Sequence, residues 1–300
     1  MVIGGRDVQI SGGLLRIARL TLDMYESVDD PDAMLAALRA SGSRIDLFTF
    51  MQKLPNTLPQ YAYPMEWDNV AALPVSTFDH WRTKQINRKG RKALRIAASV
   101  GIVVREVPFD DVLVRGIAAV YNECPIRQGK PFWHYGKDPA TAGRDNATFL
   151  ERSIFIGAFL ADTLVGFAKL VYDEVRSQAG FMQILSMIQH RNKAPTKALI
   201  AQAVRSCAER NMDYLLFANF AYGNKQRDGL RDFKALNGFR RVDLPRYYVP
   251  LTLTGHAALR LGLHRPFVNR IPEPLLAPLR RARRRWYERR LQLAGGMKTF

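Results

Sequence analysis

The sequence predicts an α+β fold, a mixed β-sheet flanked by helices. Two observations carry this: short β-branched or alternating segments are interleaved with segments of helical spacing, and a two-stranded hairpin is legible in the middle of the chain. A third bounds it: 300 residues with 47% apolar side chains suffice for one large core or two modest ones.

Taken in order, segments 8–20 and 45–54 read as strands, and Asp32–Ala40 between them reads as a short helix stopped by Gly42. Residues 55–75 hold Pro55, Asn56, Pro59, Pro64 and Pro74 among aromatics and read as irregular but packed. Ser76 is the expected cap of a long helix reaching Gly101, with Phe78, Trp81, Ile86, Leu94 and Ile96–Ala98 on its apolar side. One helix bent near Gly90 or two helices fit equally. Ile102–Val107 is a β-branched strand, Asp110–Asn122 an amphipathic helix, and 124–148 a polar, aromatic loop. Ile154–Leu160 and Leu164–Tyr172 form the hairpin about the turn Ala161-Asp162. Then follow strand Ala179–Ile188, a basic loop, helix Pro195–Arg210, strand Tyr214–Phe220, helix Asp228–Leu236 and strand Tyr247–Leu253.

Forty-five Lys and Arg against 27 Asp and Glu give a net charge of +18. Residues 82–95 supply +7 without an acid, and residues 251–300, with eleven basic and two acidic side chains, supply +9. The remainder of the chain is nearly balanced, which points to two docking segments rather than a generally basic body. In the second, Leu275, Leu276, Leu279, Ala282, Trp286 and Leu293 recur near helical spacing among arginines, the pattern of a basic amphipathic helix. Such a helix suits anionic lipid, through 274–293, or an RNA backbone; a helix packed on the domain with a solvated arginine face is the plainer alternative.

Two cysteines, Cys124 and Cys207, form no C-x-x-C, and histidines 80, 134, 190, 256 and 264 show no metal spacing. No P-loop, Rossmann fingerprint, H-E-x-x-H or G-x-S-x-G occurs. The longest apolar run, Ile154–Ala161, is far too short to span a bilayer and is interrupted by Gly157. The expectation is a cytoplasmic protein, in peripheral contact with the membrane at most, without a metal.

Arg191-Asn192-Lys193-Ala194-Pro195-Thr196-Lys197-Ala198-Leu199-Ile200 follows a strand and opens a helix, and Gly229–Phe239 is a short helix ending at Gly238-Phe239 before the last strand. In this order the two segments resemble the signatures of GNAT acyltransferases, although alanine and threonine replace the glycines of the first. That resemblance implies a GNAT-like acyl-CoA N-acyltransferase fold, with a phosphate-binding turn made by Arg191, Asn192, Lys193, Ala194 and Thr196 after a donor-gripping strand ending at Ile188. Asn192 is the residue expected to tolerate left-handed φ there; an ordinary strand-to-helix turn is the alternative. Where most GNAT enzymes place a tyrosine, this sequence has Lys234. Phe233-Lys234 before Gly238-Phe239, and the basic stretch Lys89–Val107, are similar to the FemAB-type aminoacyltransferases, which use aminoacyl-tRNA on a doubled GNAT-like fold.

The resemblance covers about residues 76–250, and the first 75 only through element order. It implies residues 1–100 as a decayed GNAT-like half, 101–253 as the acyltransferase domain and 254–300 as a basic tail. The implied activity is transfer of an acyl or aminoacyl group, from acyl-CoA or aminoacyl-tRNA, to the amine of a small molecule or a peptidoglycan-precursor-like acceptor. Lys234 would lie at the reaction centre, with Tyr222 and Asn224 where the donor's acyl end emerges and His134, in the aromatic loop 127–138, as a candidate general base. Lys234 as a surface lysine, Tyr222 and Asn224 as turn residues, and His134 as a buried histidine satisfied by a carbonyl are the structural alternatives. A non-catalytic protein binding RNA or anionic membrane is the alternative function.

Overall fold

A computed structural model describes residues 1–265 apart from 22, 24, 25, 176 and 222–228. Tyr222, Asn224 and the amphipathic segment 274–293 lie outside the described residues.

The chain opens with β1 (Val2–Ile3), β2 (Arg6–Ser11) and β3 (Ile17–Leu20), so segment 8–20 is not one strand but two sides of an antiparallel hairpin. Asp30, whose carboxylate accepts from the Ala33 amide at 2.9 Å, starts helix α1 (Pro31–Ala40). β4 (Leu47–Met51) returns parallel to β3. Where 55–75 reads as irregular, the chain forms β5 (Met65–Pro74). Its partners, at 214–216 and 240–247, arrive 140 residues or more later, so no local signal marks it.

The expected long helix is divided. Thr77, not Ser76, caps α2 (Phe78–His80), which runs into a wide turn, Trp81–Gln85, closed by Ile86 N–H donating to Trp81 O at 3.1 Å. The break is at Ile86-Asn87, not Gly90; Asn87 then caps α3 (Arg88–Ser99) by accepting from Gly90 N. β6 (Ile102–Val107) and α4 (Asp111–Asn122) follow. The loop 124–148 contains a small hairpin, β7 (Ile126–Arg127) with β8 (Lys130–Pro131), and a helix, α5 (Pro139–Asn146), capped by Asp138.

β9 (Ser153–Leu160) and β10 (Thr163–Tyr172) make the expected hairpin, and β11 (Gln178–Ser186) stops short of Ile188. After α6 (Pro195–Glu209), β12 spans only Tyr214–Leu216 because Ala218 takes a left-handed φ of +46°. α7 (Gly229–Leu236) precedes β13 (Arg240–Pro250), which begins seven residues before the expected Tyr247. Pro245 hides this strand from a local reading, since proline is foreign to central strands. Here it sits at the end of the pairing with β4, which begins at Arg246, and its carbonyl accepts from Gln52 N at 2.9 Å. β13 ends at Pro250, short of the expected Leu253, where α8 (Leu253–Arg260) begins.

All but β7 and β8 join one eleven-stranded sheet, in the order β1-β2-β3-β4-β13-β5-β12-β11-β10-β9-β6. Among the described residues, two neighbouring pairs are parallel, β3 with β4 and β11 with β12, and each is connected through a helix, α1 or α6. β13 lies between β4 and β5. One core packs α6 residues such as Leu199, Ala203 and Val204 on the sheet. A second sets α4 residues Leu113, Ile117 and Tyr121 against Phe155 and Phe167, and a third surrounds Met34, Leu35 and Leu38 of α1.

Candidate functional site

β11 pairs with β12 over Gln178–Gly180 only, while on its other side it pairs with β10 as far as Ser186. Beyond Leu216 the chain leaves β11 for β5: Phe217 N donates to Ala71 O, and Ala71 N to Ala218 O, both at 2.8 Å. The two strands therefore splay, and the Phe181–Ser186 side of β11 faces a fork. Phe181, Phe217, Phe233 and Phe239 line it, with Phe217 5.1 Å from Phe181 and 5.7 Å from Phe239.

Lys234 projects from the last turn of α7 into this aromatic cluster. It is fully buried; its Nζ donates to Asn219 O at 2.5 Å and lies 4.8 Å from the Phe217 ring centroid. The position is fixed by the helix end: Gly238 takes φ +90°, and Phe239 N closes on Lys234 O at 3.1 Å, the left-handed termination that favours glycine. Asn219 is itself held: its Nδ2 donates to Asp68 Oδ1 at 2.9 Å, Asp68 Oδ2 accepts from Arg246 Nε at 2.8 Å, and Arg246 Nη1 donates to Asp23 Oδ2 at 2.7 Å. The lysine's acceptor is thus anchored through charged groups on β5 and β13.

A second lysine reaches the same place. Lys197, in the first turn of α6, donates to Asn237 Oδ1 at 2.7 Å and lies 5.0 Å over Phe233; burial lowers its ammonium to about 8. Asn237, 1% exposed, also donates to Phe233 O and accepts from Trp81 Nε1, so it locks α6, α7 and the wide turn together. Neither Lys197 nor Asn237 was legible as a site residue, because only the fold brings them to Lys234.

The turn before α6 is wound up. Ile188, Arg191, Asn192 and Lys193 belong to a 3-10 turn, Ile188–Lys193, so Ile188 is not the end of the strand. Ala194, and not Asn192, takes the left-handed φ, +56°, and Thr196 Oγ1 is 2.7 Å from Ser186 Oγ. Pro195 contributes no N–H. The turn offers fewer backbone donors than a glycine-rich phosphate loop.

His134 is buried on the α4 side of the sheet. Its ring stacks 4.2 Å from Tyr121 and contacts Trp133, with Nε2 3.0 Å from Gln183 Nε2 and Nδ1 3.4 Å from Lys137 Nζ. Burial, and then the Lys137 charge, push it down to about 4. It is therefore neutral at neutral pH and bound by side chains rather than by the expected backbone carbonyl. Gln183, on β11, accepts from the Tyr121 hydroxyl at 2.8 Å, and Asn146 donates to that hydroxyl at 3.0 Å. Below them Lys169, 1% exposed, donates to Asn146 O, Thr148 O and Thr148 Oγ1, with burial lowering it to about 8. The fold thus separates the predicted residues into the fork, with Lys234, and this polar chain, with His134; β11 carries both. Among the described residues, no group of three or more His, Cys, Asp or Glu could hold a metal ion, and no helix is long and apolar enough to cross a membrane.

No protein-family model and no curated protein sequence matches the chain. Solved structures do. The C-terminal domain of a protein named as a lysylphosphatidylglycerol synthetase of Agrobacterium fabrum superposes with a TM-score of 0.54 at 14% identity, over 84% of this chain and 83% of that one. L-PGS of Bacillus licheniformis gives 0.55 at 13% identity, over 86% of each chain. The fold is GNAT-like. A conserved Bacteroides thetaiotaomicron protein of unknown function gives 0.50 at 12% identity, over 82% of this chain and 84% of that one. At these identities the likeness is one of fold.

Proposed function

We propose that the protein transfers an acyl or aminoacyl group to the amine of an acceptor, with the donor lying along the open side of β11 and its carbonyl near Lys234. The observation that carries this is a fully buried lysine at the point where β11 and β12 splay. An ammonium there suits a developing oxyanion, since a preorganised charge in a dry site strengthens as the transition state forms. The acceptor nitrogen attacks the carbonyl carbon, the C–N bond forms, the C–O or C–S bond to the donor breaks, and the proton lost by nitrogen passes to the leaving oxygen or sulfur. The aromatic walls exclude water that would otherwise hydrolyse the donor.

Between donors, the wound turn at 188–194 favours an aminoacyl ester of RNA over coenzyme A. Ala194 and Pro195 leave little room and few N–H groups for a pyrophosphate. The name of the Agrobacterium fabrum neighbour, a lysylphosphatidylglycerol synthetase, accords with lysyl transfer, and the FemAB-like placement of Lys234 points the same way. Two parallel β-α-β units, β3-α1-β4 and β11-α6-β12, support reading the chain as a doubled GNAT-like arrangement. In that reading β5 and β13 are exchanged: β5 pairs with β12 and β13 with β4.

Calorimetric titration with acetyl-CoA, a long-chain acyl-CoA and a charged tRNA, each repeated on Lys234→Ala, tests the assignment. The expected result is saturable binding of the charged tRNA by both proteins, with turnover lost only in the variant. Coenzyme A binding with indifference to tRNA overturns the donor assignment. Turnover unaffected by Lys234→Ala overturns the role of Lys234.

A further inference from the structure

α8 turns Gly255 and Ala258 inward and keeps Leu259 half-buried, while Leu253 at its start and Leu261 just past its end are exposed. Gly255 and Ala258 are buried, and a Cβ on Gly255 would lie 1.9 Å from Asp46 O. The exposed residues Leu253, His256, Ala257, Arg260 and Leu261 follow the i, i+3, i+4, i+7, i+8 spacing of one helix face. Leu253 is 89% exposed and Leu261 70%.

The face continues onto the β2–β3 turn. Asp46, 1% exposed, accepts from Arg16 N at 2.9 Å and from Thr252 Oγ1 at 2.8 Å, which ties that turn to the start of α8. Arg44 donates to Leu14 O at 3.2 Å, and Leu14 is 92% exposed. Exposed leucines from two separate elements therefore lie among exposed arginines 16, 44 and 260. From Val8 to Leu22 and from Leu244 to Pro272 the sequence contains no acid, and residues 266–300 carry nine basic and two acidic side chains.

We propose that this face is a docking surface for an anionic phospholipid bilayer, with Leu14, Leu253 and Leu261 entering the interface and the arginines meeting lipid phosphates. The pairing of apolar insertion with cationic charge selects lipid: an RNA backbone would use the arginines and leave the leucines in water. The proposal stands independently of the transferase reading.

The test is co-sedimentation of the full chain with vesicles of phosphatidylcholine alone and of phosphatidylcholine mixed with phosphatidylglycerol. Binding is expected to the mixed vesicles and not to the neutral ones. Leu14→Ser, Leu253→Ser and Leu261→Ser combined should weaken it about ten-fold or more. Arg16→Gln and Arg260→Gln should each weaken it roughly five-fold, the factor that corresponds to the loss of one basic residue near the surface. An unchanged thermal midpoint shows that the leucines are not covered by the protein's own chain. A leucine variant that binds as well as the wild-type protein, or whose midpoint falls by several degrees, overturns the proposal. So does a wild-type preference for a single-stranded RNA over the mixed vesicles.

Discussion

Arg246 offers the sharpest test of how the two sides of the sheet are held. Its side chain is 17% exposed, bonded to Asp68 Oδ2 at 2.8 Å and Asp23 Oδ2 at 2.7 Å, and the two carboxylates hold its guanidinium firmly charged despite burial. Arg246→Met leaves two half-buried carboxylates facing one another with their shared cation gone. Removing one partner of a buried ion pair costs about 3–5 kcal/mol, whereas replacing the whole set by uncharged groups is near neutral. With two pairs lost and some exposure remaining, the expected destabilisation is about 3 kcal/mol. The triple variant Asp23→Asn, Asp68→Asn, Arg246→Met should recover more than half of it. Denaturant unfolding followed by tryptophan fluorescence measures both, and Asn219, which leans on Asp68, makes donor binding a second readout. A single-variant loss below about 1 kcal/mol, or a triple variant no more stable than the single, refutes the reasoning.

Lys169 is lowered to about 8 by burial from an ordinary 10.5, so between those values the unfolded chain binds the extra proton and stability rises with pH. The gain attributable to Lys169 is about 2 kcal/mol between about pH 8 and pH 10, and denaturation midpoints of Lys169→Met should lack it. Because burial and then the Lys137 charge push His134 down to about 4, His134 should contribute no inflection to the rate profile between about pH 5 and 8, and His134→Gln should leave the profile's shape unchanged while lowering the rate at every pH. Gly255→Ala drives a Cβ into Asp46 O and should lower stability by about 3 kcal/mol, read from the thermal midpoint.

Much of the half after residue 101 was legible because its signals are local. Two apolar runs about the turn Ala161-Asp162 marked the β9–β10 hairpin, Asp110 marked the start of α4, and Gly238 marked the end of α7. Two long strands were missed, β5 and all but the end of β13; they pair with elements distant in sequence, and Pro64, Pro74 and Pro245, in or beside them, locally argue against them. Of the two readings of 76–101, the structure takes the two-helix one, divided at Ile86-Asn87, where the Asn87 side chain caps α3; local spacing alone did not choose between them.

What the sequence by itself determined was the class of fold, the position of Lys234 ahead of a glycine terminator, and the concentration of charge in two segments, since each depends on residues within one turn or one strand of each other. The tertiary structure decided that Lys234 is buried rather than exposed, that Lys197 and Asn237 stand beside it, and that Leu253 and Leu261 at the two ends of α8 face solvent. Those facts depend on where β12 leaves β11 and on how closely Asp46 approaches Gly255, distances between segments that no local pattern encodes.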